Sequence, residues 1–173
     1  MDDAVNEFIN EARQYCRLIE QDPSGLSSWT FAQQCLHSLL RLYLRGLALP
    51  DVMCSDKDTA DRLGYEDWKV IRSKVGERLA RDMYWEVFEP LEKEMPTAVA
   101  GSISDDLADI WLDVQVGLHS FDAGTPASQA AAVWHWRFSL ESHWARHVAG
   151  AVSALTALCF GEHQDETRPM KFA

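Results

Sequence analysis

From Thr125 to Gly161 the chain reads as one long helix, and that element constrains everything else. Thr125 supplies a side-chain cap, Pro126 takes the first helical position and Gly161 stops the pattern. No proline comes after Pro126 in this stretch, and Gly150 is its lone interior glycine. About 35 residues at ~1.5 Å each make a rod of roughly 50 Å. A compact domain of this size is roughly 40 Å across. The rod therefore spans the molecule or bends, and Gly150 is the expected weak point.

The other segments must pack around it, and they carry helical stripes. Val5, Phe8, Ile9, Ala12, Tyr15, Cys16 and Ile19 repeat at three- and four-residue spacing, and Pro23-Ser24-Gly25 ends that helix. Trp29, Ala32, Leu36, Leu39, Leu40, Tyr43 and Leu47 form the next stripe, which Leu49-Pro50 closes. Residues 50–66 are a polar connection, with room for a helical turn at 58–63. A third helix is expected from Glu66 to Ala80. Asp82 to Glu89 extends it or makes a separate turn, and its Tyr84, Trp85 and Phe88 would cover the bundle. Pro90 and Pro96 make 90–101 a loop. Ser104-Asp105-Asp106 opens a helix with acids at the favourable end of its dipole. Ile103, Leu107, Ile110, Val114, Leu118 and Phe121 form its face, and Asp122-Ala123-Gly124 ends it. No strand pattern or internal repeat is visible. The expected fold is a single all-α domain over residues 1–161, an irregular up-and-down bundle of about five main helices. Residues 162–173 form a polar tail.

Composition enters through what it excludes. The 173 residues carry a formal net charge of −11, which repels nucleic acid and anionic membrane. The densest basic stretch, Lys69 to Arg81, is interrupted by Glu77 and reads as an ordinary charged helix face. No apolar run approaches the ~18 residues of a membrane span. The acidic start Met1-Asp2-Asp3-Ala4 is unlike a signal peptide. A cytoplasmic setting is expected. The four cysteines include no Cys-x-x-Cys pair. Cys16, Cys35 and Cys159 read as buried small hydrophobes, and Cys54 as an exposed thiol.

The chemistry-bearing residues concentrate on the rod. Trp134, His135, Trp136, Arg137, Glu141, His143, Trp144, Arg146 and His147 lie within fourteen positions, and such side chains are costly to bury. On a wheel of ~100° per residue, Trp136, Leu140, Trp144, His147 and Ala151 share one face, with Arg137 and His143 at its edges. Trp134, Phe138, Ala145, Ala149 and Val152 occupy the opposite side. A helix apolar on two sides is central in its bundle, the favoured reading, or half-buried in an oligomer interface. The preceding helix offers Asp106, Asp109 and Asp113. The tight Gly124 turn makes the two helices antiparallel neighbours, so Asp113 could meet Arg137 or His147.

The cluster admits two readings. One is a buried polar network joining helices through Asp109, Asp113, Trp136, Arg137, Glu141, His143 and His147. The other is a metal site on His143 and His147, spaced i,i+4, with Asp113 or Asp109 supplying a carboxylate. No glutamate comes directly after His143, so the zincin motif is absent, and so are paired Glu-x-x-His motifs. A second aromatic cluster, with Tyr84, Trp85 and Glu86, and the side of the rod that carries Trp134 are candidate ligand or partner surfaces. A small-ligand pocket under Trp85 and Trp136 is a third possibility. No catalytic template matches, so whether the chain is an enzyme stays open, and no cofactor is indicated. The leading expectation is a non-enzymatic protein-interaction or scaffold module that could form a homodimer. The alternative is a metal-binding protein or metal-dependent enzyme centred on Asp109, Asp113, His143 and His147.

Three segments together carry a resemblance: residues 84–90 (YWEVFEP), 105–113 (DDLADIWLD), and Trp136-Arg137-Phe138 through His147. In combination they resemble an uncharacterised bacterial family of all-helical proteins, a domain of unknown function, over most of the chain. The resemblance implies a helical fold and a bacterial cytosolic setting. It implies no activity.

Overall fold

In the computed structural model the helical stripes become α1 (Asp3–Glu20), α2 (Ser28–Leu47) and α3 (Tyr65–Gly76), then two strands, β1 (Met83–Val87) and β2 (Ala98–Ser102). After these come α4 (Ile103–Asp122), α5 (Pro126–Ser139), a π-helical turn Leu140–Trp144, and α6 (Ala145–Phe160). The structure describes residues 3–22, 25–53, 63–87, 89–91 and 94–161. The helical turn expected at 58–63, the thiol of Cys54, the ring of Phe88 and the polar tail from 162 lie outside these residues, wholly or in part.

α4 is the central element. It packs on α5, α3, α6 and α1, while α2 bridges α1 and α6. Its core side includes Leu107, Ile110 and Val114, all inaccessible to solvent, and Tyr15 of α1 donates a hydrogen bond to the Leu107 carbonyl at 2.7 Å. Cys16, Cys35 and Cys159 are buried, as their stripes require. No described helix is long and apolar enough to cross a membrane.

The rod forms with Thr125 capping Ser128 and with Pro126 in its first turn. Its α-helical ladder is interrupted by the π turn and runs unbroken through Gly150; at the π turn the Ala145 N–H reaches back five residues to the Leu140 carbonyl. A π turn inserts an extra residue and rotates the helix beyond it relative to the helix before it. Side chains on either side of it therefore depart from a uniform wheel. Ser139 is buried, while Trp134 and Phe138 stack at 5.0 Å on an exposed flank.

Within the segment expected as a helix end or turn at 82–89, residues 83–87 form a strand, and part of the expected loop 90–101 is its partner. β1 and β2 pair antiparallel, with Tyr84 opposite Gly101, Trp85 opposite Ala100 and Val87 opposite Ala98. Burial in β1 alternates with the two-residue period of a strand: Tyr84 and Glu86 turn inward, Met83, Trp85 and Val87 outward. Asp82 clamps the hairpin to the start of α4. Its carboxylate accepts from the Ser104 N–H at 2.7 Å and from the hydroxyls of Ser102 and Ser104 at 2.9 and 2.8 Å.

The basic stretch Lys69–Arg81 is not entirely a solvated face. Arg78 is buried. Its Nη1 points at the carbonyls of Leu18, Ile19 and Gln21, where α1 ends, and its guanidinium lies 3.5 Å from the Phe31 ring centroid.

Candidate metal centre

Asp106, Asp109 and Asp113 recur at i, i+3 and i+7 on α4, which places all three toward one side of the helix. The antiparallel rod brings His143, from the π turn, and His147, from α6, against that side. His147 Nδ1 lies 2.8 Å from Asp106 Oδ1, and its Nε2 lies 3.5 Å from Asp109 Oδ2. His143 Nδ1 lies 2.8 Å from Asp113 Oδ2. The two imidazoles meet edge to face with centroids 4.8 Å apart.

The hairpin supplies the remaining wall. Tyr84 donates to Asp106 Oδ2 at 2.7 Å, and its hydroxyl is 3.5 Å from Glu86 Oε2. This approach needs Gly150 beneath it, because a Cβ at that position would overlap the Tyr84 hydroxyl. A cavity of about 220 Å³ opens over the cluster, lined by Glu86, Asp106, Ser142, His143, Arg146 and His147. Larger depressions of about 450 and 520 Å³ lie along α1 and α2 among arginine, glutamate and glutamine side chains. They lack the convergence of imidazole and carboxylate found here.

The electrostatics reflect partial burial. The Asp113 hydrogen bond holds the His143 imidazole above its usual range. Burial pushes His147 down, but the Asp106 hydrogen bond and the charges of Asp109 and Asp106 outweigh it, and the net shift is upward. Burial raises the carboxyls of Asp106 and Asp109. The buried indole N–H of Trp68 has no partner at hydrogen-bonding geometry, yet it is close enough to Asp109 to favour its carboxylate. Burial and the Asp106 hydrogen bond keep the Tyr84 phenol far above its ordinary range, so it donates at every physiological pH.

Of the residues marked in the sequence, Asp109, Asp113, His143, His147, Tyr84 and Glu86 gather here. The others do not. Arg137 pairs with Glu141 and points at the carbonyls of Leu47 and Leu49, which end α2, so it meets neither Asp113 nor the histidines. Asp113 meets His143 instead of Arg137 or His147. Trp136 is wholly buried, donates to the Val114 carbonyl at 3.0 Å, and packs on Phe8 and Phe121. Trp85 points outward at 76% exposure. It therefore shares no pocket with Trp136. Asp106, named on the preceding helix but not placed in the expected cluster, and Trp68 also join the site. The i,i+3,i+7 spacing with Asp109 and Asp113 pointed to Asp106, whereas nothing in the sequence pointed to Trp68.

A three-donor set converges from these parts. Asp109, His143 and His147 each offer a ligand atom, all within 4.8 Å of one another. Ligand atoms bonded at ~2.0–2.1 Å to one tetrahedral ion sit roughly 3.3 Å apart, so binding requires a modest closing of side chains.

Fold and site together define a helical bundle with one small β-hairpin laid across a histidine–aspartate cluster between two antiparallel helices. The chain belongs to the domain-of-unknown-function family DUF5063, whose model matches residues 1–160. Among solved structures it is similar to the crystal structure of a Bacteroides fragilis protein determined by a structural genomics consortium. The TM-score is 0.79 at 23% identity, over 92% of this chain and 94% of that one. That likeness establishes the shared fold. No curated protein matches.

Proposed function

We propose that this protein binds a divalent transition-metal ion through Asp109, His143 and His147. The carrying observation is that each imidazole has its Nδ1 against a separate carboxylate, Asp113 for His143 and Asp106 for His147. A carboxylate accepts, so the proton sits on Nδ1 and the Nε2 lone pair of a neutral ring is free to coordinate. Metal-binding histidines are oriented in this way. Two imidazoles and a carboxylate suit zinc, iron, nickel or manganese better than calcium or magnesium. The cavity over the cluster leaves space for a water or a small ligand in a fourth position.

The test is metal content of protein purified without tag or chelator, followed by isothermal titration of the stripped protein with zinc, manganese and iron(II). A stoichiometric ion that H143A/H147A fails to hold supports the reading. Stripped wild type that takes up none of these metals eliminates it, leaving the cluster as an ion-pair network between α4 and α6. This reading excludes nucleic acid as a partner, on the support of the −11 charge and the carboxylates concentrated at the site.

A further inference from the structure

Tyr84 and Glu86 fill the inner side of β1 at the histidine cluster, and the other side of the same hairpin is bare. Met83, Trp85 and Val87 point outward at 64%, 76% and 40% exposure. Ala98 and Ala100, which face Val87 and Trp85 across the ladder, are exposed beside them. None of these five positions carries a charge, on a chain whose net charge is −11. A two-stranded hairpin is marginal on its own, and sheets are stable when an apolar face is covered. A tryptophan ringed by smaller apolar groups is also the anatomy of an interface hot spot.

We propose that a second copy of this chain covers this face, hairpin against hairpin about a two-fold axis. The shape of the face selects that occupant. All its bulk stands on β1 and all its hollows on β2, with Trp85 paired to Ala100 and Val87 to Ala98. A two-fold axis parallel to the strands and lying between the two copies sets the Met83–Trp85–Val87 row of one copy over the alanine row of its partner. Facing layers interdigitate by this matching of large to small. Charge agrees with shape. Two copies of an acidic chain repel one another generally, and none of the five residues on this face carries a carboxylate. The dimer would also brace the strand that carries Tyr84, so the wall of the site would be firmer in the pair than in the single chain.

The experiment is light scattering on eluted full-length protein from low to high micromolar concentration, with metal content measured on the same fractions. Wild type is expected at twice the chain mass of 19.6 kDa. W85E, and independently A100E in case the first variant folds poorly, should raise the dimer dissociation constant at least ~30-fold, as loss of a hot spot does, with helical circular dichroism retained. L44E, on the exposed flank of α2, should leave the dimer intact. A wild type that stays at 19.6 kDa at the highest concentration overturns the proposal. So does a dimer that survives both hairpin substitutions, or one that only L44E dissociates. Loss of metal with the dimer intact would count against the metal reading alone.

Discussion

Tyr84 and Asp106 stand 2.7 Å apart, hydroxyl to carboxylate, and join the hairpin to the helix that carries the site. The other oxygen of Asp106 holds His147, so one buried carboxylate ties β1, α4 and α6 together. Tyr84→Phe removes one hydrogen bond from that partly buried charge. The expected loss is about 1–2 kcal/mol in urea unfolding at pH 7. An unchanged urea midpoint would mean that the carboxylate finds an equal partner in solvent.

The same hydroxyl predicts a coupled pair. A Cβ at Gly150 would overlap it, whereas the nearest ring carbon, Cζ, lies 3.2 Å from that Cβ position. Gly150→Ala alone should therefore cost about 1–3 kcal/mol through overpacking. Tyr84→Phe should recover a substantial part of that loss. A double-mutant cycle that came out additive would place the hairpin elsewhere, because contacting residues couple and distant ones do not.

Local periodicity accounts for what the sequence makes legible. The caps of the rod at Thr125 and Gly161 come from residue type, while the α4 face through Ile110 and the presence of His143, His147 and the α4 aspartates on facing helices come from a 3.6-residue repeat. The partners within the cluster do not. The π turn is marked by the i+5 hydrogen bond from the Ala145 N–H to the Leu140 carbonyl, which leaves no local residue signature, and an unbroken wheel misplaces the side chains around it. Such a wheel pairs Asp113 with Arg137 or His147, whereas its partner is His143. The hairpin is equally silent, because Ala-Val-Ala-Gly-Ser has no polar-apolar alternation. Its place against α4 is set by Asp82, 22 residues before Ser104 in sequence.

Arg137 shows the same limit in energetic terms. If it were buried against a carboxylate, removing it would cost ~3 kcal/mol or more. Its side chain is instead 34% exposed, and its acidic partner Glu141 is 60% exposed. Such a pair is worth ~0–1 kcal/mol, with a further contribution of about 1 kcal/mol from hydrogen bonding at the end of α2. Arg137→Ala should thus cost about 1–2 kcal/mol in denaturant unfolding, and added salt should weaken only the ion-pair part. A loss of more than ~3 kcal/mol would restore the buried arrangement.

The histidine pair makes a prediction of opposite sign with and without metal. His143 and His147 both titrate above the ordinary 6.5 in the folded chain. A raised folded pKa means that the folded state holds the proton more tightly. The resulting stability is complete below the unfolded value and is lost as pH rises through the folded one. Raised carboxyls at Asp106 and Asp109 act in the same sense in a lower window, above their ordinary 3.8. Metal-free protein should therefore gain stability as pH falls from above the raised histidine values toward 6.5. The H143A/H147A variant should lose most of that dependence. Metal-loaded protein should do the reverse, because coordination needs neutral imidazoles and each bound ion displaces protons. Its added stability should grow with pH across the same window. Thermal unfolding from about pH 5.5 to 8, with chelator and with zinc, reads both slopes. Parallel slopes in the two conditions would mean that no ion uses these imidazoles, and the cluster would then act only as an ion-pair network holding α6 to α4.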